Sequence, residues 1–87
     1  MALFIDQPFW HGHGRRWAHL ISDVSFEELH EFAGSVGIPR RGFDGDHYDV
    51  PLERWSSVVA EGVTPTDSRD VVRRLREAGL RRPKHLR

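Results

Sequence analysis

The chain reads as an α/β domain, with a small, largely parallel sheet of three to four short strands packed by about three helices. Three observations lead there. Short apolar or alternating runs stand at 3–5, 17–22, 47–50 and 63–64. Helical apolar spacing occupies 25–37, 51–61 and 67–78. Turn residues separate these segments, with no internal repeat and no linker long enough to divide the 87 residues. Short strands alternating with helices are the pattern of a sheet covered by helices.

Leu3, Phe4 and Ile5 form an apolar run suited to a buried strand that ends at Asp6. Pro8 to Arg16 then reads as a loop, with Gly12 and Gly14 as its flexible points. In a strand over 17–22, alternation sets Trp17, His19, Ile21 and Asp23 on one face. Ser25 to Gly37 is the clearest helix. Ser25 and Glu28 fit a capping box, while Phe26, Leu29, Phe32, Ala33 and Val36 make one apolar stripe. Gly37 ends it and Pro39 blocks its return. A short extended piece follows at His47–Val50. Pro51 suits the first turn of a helix over 51–61, whose buried face is Leu52, Trp55, Val58 and Val59. Val63-Thr64 is a short last strand. The final helix starts near Asp67 or Ser68, buries Val71, Val72 and Leu75, and stops at Gly79. Residues 1–80 are expected to form one globular domain and 81–87 a basic C-terminal tail.

Composition narrows the function classes. Absence of cysteine removes disulfides and thiolate metal sites. No apolar run approaches the ~18 residues of a membrane span, and the N-terminal residues lack the basic region of a signal peptide. The expectation is a cytoplasmic protein without a membrane partner. The zero net charge hides an asymmetry: residues 1–72 balance to −6, and residues 73–87 to +6. The basic end is a candidate for a weak contact with nucleic acid. Gly12-x-Gly14 lacks the third glycine and following helix of a dinucleotide fingerprint. No Walker loop and no nucleophile elbow is present.

The densest chemistry lies at Arg40-Arg41-Gly42-Phe43-Asp44-Gly45-Asp46-His47-Tyr48-Asp49, with a second cluster at Trp17 to Asp23. His47 and Asp49 are two apart, so a strand points them the same way. A carboxylate beside an imidazole fixes its tautomer and raises its basicity. His19 and Asp23 offer two more groups. His47, Asp49, His19 and Asp23 are therefore the candidate catalytic residues and also the candidate metal ligands. The His/Asp set suits Zn²⁺, Mn²⁺ or Fe²⁺. Arg40 and Arg41 offer guanidinium forks to an anionic ligand. Together with Asp6 and Tyr48 they are candidate substrate contacts. If the strands were parallel neighbours, Asp6 and Asp23 would share the rim where ligands collect. If the two segments form one site, the His19 and His47 imidazoles should lie within about 12 Å of each other. Each residue also has a structural reading: Asp23 and Asp49 as helix caps, the arginines in salt bridges, His30 at a core edge. His11-Gly12-His13-Gly14 is a mobile platform for metal and is not counted with the site.

The series Phe4-Ile5-Asp6, Trp17-x-His19-Leu20-Ile21-Ser22-Asp23, Glu28-Leu29-His30, Gly37-Ile38-Pro39-Arg40-Arg41-x-Phe43 and Asp46-His47-Tyr48-Asp49-Val50-Pro51 resembles a domain-of-unknown-function family of small proteins from actinobacteria and bacteriophages. The use of 12 Arg against 1 Lys fits a high-GC source. The resemblance implies that the His19/Asp23 and His47/Asp49 pairs recur as motif positions, and it carries no activity. Three functions remain open. The first is a module that binds a nucleotide, nucleic acid or protein through the His/Asp/Arg site. The second is a metal- or general-base-dependent hydrolase or lyase acting on a phosphate-containing substrate. The third is a structural polar network in a partner-binding protein.

Overall fold

The computed structural model of the protein describes residues 2–83. Its elements are β1 (Leu3–Ile5), β2 (Trp10–Gly12), β3 (Arg15–Ser22), α1 (Phe26–Ser35), a 3-10 turn (Arg40–Gly42), β4 (Tyr48–Pro51), α2 (Leu52–Ala60), β5 (Thr64–Pro65) and α3 (Ser68–Glu77). The α/β class and three helices stand as expected. The sheet does not. β1 and β2 both run antiparallel to β3, β4 runs antiparallel to β3, and the one parallel pairing among the described residues joins β1 to β5.

Two local features turn the sheet antiparallel. Residues 10–22 are a hairpin, not a loop leading into a strand. Gly12 pairs with Arg15, leaving only His13-Gly14 between the arms. Both carry positive φ, at 51° and 71°, the two-residue turn whose twist matches a hairpin. Second, α1 and the stretch 36–47 together amount to one net reversal of the chain between β3 and β4. β4 therefore returns beside β3 in the opposite sense. Leu20 pairs with both Ile5 and Tyr48, so β3 is the central strand.

Strand alternation gives the sheet two unlike faces. Leu3, Ile5, Ala18, Leu20, Tyr48 and Val50 point to one, where they pack with Leu29, Phe32 and Ala33 of α1 and Val58 of α2. Phe4 and Ile21 point to the other and meet Val71 and Leu75 of α3, with Leu80. On that second face α3 covers the Ile21 end and leaves the His19 level partly open.

Helix ends follow the sequence signals with small departures. Ser25 Oγ accepts from the Glu28 amide at 3.0 Å, but the Glu28 carboxylate accepts from Ser22 Oγ at 2.7 Å instead of closing the capping box. Gly37 takes φ 77° past the end of α1. Pro51 is the N-cap of α2, not its first turn, and Leu52 is 46% exposed, contrary to its expected burial. Asp67 caps α3 by accepting from the Asp70 amide at 2.8 Å. No helix among the described residues is long and apolar enough to cross a membrane.

Candidate metal centre

On the half-covered face three neighbouring strands put polar side chains at one level. His19 of β3 is opposite Asp49 of β4 on one side. On its other side the Asp6 amide donates to the His19 carbonyl at 3.2 Å. His47 stands two residues before Asp49 and so shares its face. The His19 and His47 rings meet edge to face, with centroids 4.6 Å apart, inside the separation expected of a two-segment site.

Each imidazole is held through Nδ1 by its own buried carboxylate. His19 Nδ1 lies 2.8 Å from Asp6 Oδ2, and His47 Nδ1 lies 2.7 Å from Asp46 Oδ1. Both carboxylates are fully buried. Asp6 also accepts from the His19 amide (2.6 Å), Ser68 Oγ (3.0 Å) and Trp10 Nε1 (3.3 Å). Asp46 accepts from Arg81 Nη1 (3.1 Å) and the Arg82 amide (2.9 Å). Burial opposes the charge on Asp6. Hydrogen bonds from the His19 side chain and amide outweigh it and hold the pKa below the ordinary value. Burial likewise opposes ionisation of Asp46, and His47, Arg82 and Arg81 outweigh it in the same direction.

With Nδ1 committed, Nε2 is the nitrogen each ring offers to a ligand. His47 Nε2 stands 3.2 Å from Asp49 Oδ1. His19, His47 and Asp49 can each present one donor atom within 4.8 Å of the others. Two donors on one zinc ion lie at most ~4 Å apart, twice the ~2 Å bond length, so a shift of under about 1 Å closes the set. Histidine ligands of metals usually carry a carboxylate on the other ring nitrogen, and the carboxylate–imidazole pair occurs here twice. Burial works against the proton on His47, but Asp46 and then Asp49 raise its pKa to about 9.

The remaining expected site residues fall elsewhere. Asp23 is four residues beyond His19, about 13 Å along the strand. It pairs with Arg74 at 3.6 Å. The expected shared rim of Asp6 and Asp23 does not exist, because β1 and β3 are antiparallel. Asp6, expected as a substrate contact, has no exposed surface and is bonded to His19. Tyr48 is 1% exposed in the core of the opposite face, its hydroxyl 2.7 Å from His30 Nδ1. Arg41 lines a cleft of about 610 Å³ that also includes Asp49, Trp10, Trp17 and Arg15. Arg40 lies outside that cleft. His13 and Gly14 form the hairpin turn, and His11 lines the same cleft. Of the basic tail, Arg81 and Arg82 pack against Asp46 and residues 84–87 lie outside the described residues.

The sequence reading paired His47 with Asp49 but missed the carboxylate that meets Nδ1 of His19 and of His47. His19 takes Asp6, not Asp23, and the signal for that was the hairpin register. His47 takes Asp46 at Nδ1 as well as Asp49 at Nε2. It also missed Ser68 and Trp10, which no local pattern ties to Asp6. A pocket of about 330 Å³ stands over the three candidate ligands, with Asp44 and Arg81 on its lining.

The model of a family described as a protein of unknown function, DUF4031, matches residues 3–78. No curated protein and no solved structure matches the chain.

Proposed function

We propose that this chain, which belongs to the DUF4031 family, is a metal-dependent hydrolase of phosphate esters. One observation carries the reading: two imidazoles, each aimed by a buried carboxylate on Nδ1, share a pocket with Asp49. Two histidines and one carboxylate suit Zn²⁺, Mn²⁺ or Fe²⁺ and leave a coordination position for water. When bound, the cation supplies a more acidic water and polarises a phosphoryl oxygen. Arg41, in the adjoining cleft, holds a non-bridging oxygen of the ester. In hydrolysis the water oxygen bonds to phosphorus and the bond to the leaving alcohol breaks. The water proton passes to Asp44 on the rim and ends on the leaving oxygen.

A second reading has its own support. His47 lies between Asp46 at 2.7 Å and Asp49 at 3.2 Å. A protonated His47 joined to two carboxylates is a complete ion cluster that ties β4 to the preceding loop without any metal. Titration of the metal-free chain with Zn²⁺, Mn²⁺ and Fe²⁺ separates the two. The hydrolase reading expects one cation per chain, loss of binding in His19→Ala and His47→Ala, and a fall of about 10–100-fold in Asp6→Asn. A chromogenic phosphodiester should then be cleaved only by the metal-loaded chain. Absence of cation uptake by a folded chain leaves the ion cluster as the role of these residues.

A further inference from the structure

We propose that the half-covered face of the sheet is a track for single-stranded nucleic acid, with Trp10 as its stacking platform and the His19/His47/Asp49 centre beneath its path. This deepens the reading above by naming the substrate class. It rests on that reading only for what lies under the strand, since the binding itself uses arginine and tryptophan.

Three clefts meet at Trp10. One is the cleft of about 610 Å³ that holds Arg15 and Arg41, and the second is the pocket of about 330 Å³ over the metal centre. The third, about 660 Å³, runs along α3 between Trp10 and Arg69, Arg73 and Arg76. These arginines are spaced i, i+4 and i+7, so they form one stripe on the helix. Arg73 is engaged by Asp70 and Glu77. Arg69, Arg76 and Arg41 have no carboxylate partner among the described residues.

Trp10 is 49% exposed and its neighbour Phe9 is 69% exposed. Trp10 Nε1 donates to Asp6 at 3.3 Å, which anchors one edge of the ring beside the metal centre. A fixed, half-exposed indole between arginine-lined clefts is the arrangement that holds a strand: guanidinium groups track the phosphates, and the ring takes the face of a base. A duplex hides those faces in its own stack, which is why the track fits an unpaired strand. Charge is segregated around the fold. The cleft along α1 carries Glu27, Glu28 and Glu31. A polyanion is therefore repelled there and drawn to the α3 side, although the chain has no net charge. The basic end identified in the sequence contributes through α3, while the Arg81 guanidinium is turned to Asp46 and that of Arg82 lies over the Phe26 ring.

The test is fluorescence anisotropy of a labelled oligo(dT) of about ten nucleotides, within the usual site size of such tracks. The full chain is used with EDTA present, so that strand binding is read without the cation and a failed metal reading leaves this result standing. Binding is expected at about 50 mM salt and should weaken sharply by about 200 mM. Arg69→Ala combined with Arg76→Ala should weaken it about tenfold and lower the salt slope by about two. Trp10→Ala should cost about tenfold and Trp10→Phe much less, because the ring face is kept. Glu27→Gln with Glu31→Gln should not weaken it. The arginine pair is on the surface, so its variant stays informative if Trp10→Ala loses the fold. No binding by the wild type at low salt overturns the proposal. So does an arginine-pair variant that binds like wild type, or a duplex that binds as tightly as the single strand.

Discussion

The two faces of the sheet are built from the same strands by alternation and behave as different materials. Ala18 and Leu20 point into a closed apolar layer under α1 and α2, where both are fully buried. Their neighbour His19 points the other way, into a row of carboxylates and imidazoles that a single helix covers in part. The closed face carries the stability through area removed from water. The open face keeps its buried charges only because each is met by several donors. Asp6 alone receives four hydrogen bonds from three residues. A buried carboxylate that lost them would be strongly destabilising. The division of labour therefore runs residue by residue along one strand.

The largest expected effect breaks the closed face. Leu29 is fully buried there, and Leu29→Ala should cost about 2–5 kcal/mol in urea denaturation. Cation binding by the fraction that remains folded should be unchanged. A loss of binding in step with the loss of stability would show that the two faces are not separable.

Acidity addresses the open face alone. In the metal-free chain His47 holds its proton up to about pH 9, while the unfolded side chain releases it near 6.5. Its contribution to stability is complete below 6.5 and is lost as pH rises through 9. Asp6 and Asp46 act in the opposite sense. Their folded pKa values lie below 3.8, so their contribution is present above that value and lost on further acidification. Thermal melting across this range should show both limbs. His47→Gln should flatten the alkaline one, whereas Leu29→Ala should lower the whole curve without changing its shape.

The smallest effect concerns the one titratable hydroxyl in the closed layer. Tyr48→Phe removes the bond to His30 Nδ1 and should cost about 1 kcal/mol, with cation binding and phosphodiester cleavage unaltered. A variant with normal stability and lost cleavage would move Tyr48 to the open face, against its place in the strand.

The helices and four of the five described strands were legible because their signals are local, while β2 was read as part of a loop. Ser25 before Phe26, Gly37 and Gly79 after helices, and the stripe through Leu29 and Phe32 each act within a few residues. Strand direction was not legible. It hung on His13-Gly14, a turn that does not carry the usual Asn-Gly or Asp-Gly mark, and on a 36–47 stretch whose path no periodicity encodes. The same error misassigned the partner of His19. Asp23 is near it in sequence, whereas Asp6 is near it only once the hairpin has closed. His47 and Asp49 were found because a period of two is enough to place them together. Tyr48 falls between them and must face the other way, a consequence of the same period that the reading of a polar run overlooked.

Asp6 also bears on how the protein acquires its site. Its carboxylate and carbonyl reach Trp10, His19, Trp55 and Ser68, at separations of 4, 13, 49 and 62 residues. Most of those bonds require long loops to close first, and such contacts are slow to form. No fragment short of Ser68 holds all the partners, so the aimed imidazole emerges with global folding and not before it. The His19 amide, bonded to the Asp6 carboxylate at 2.6 Å, should consequently exchange its hydrogen only when the whole chain opens.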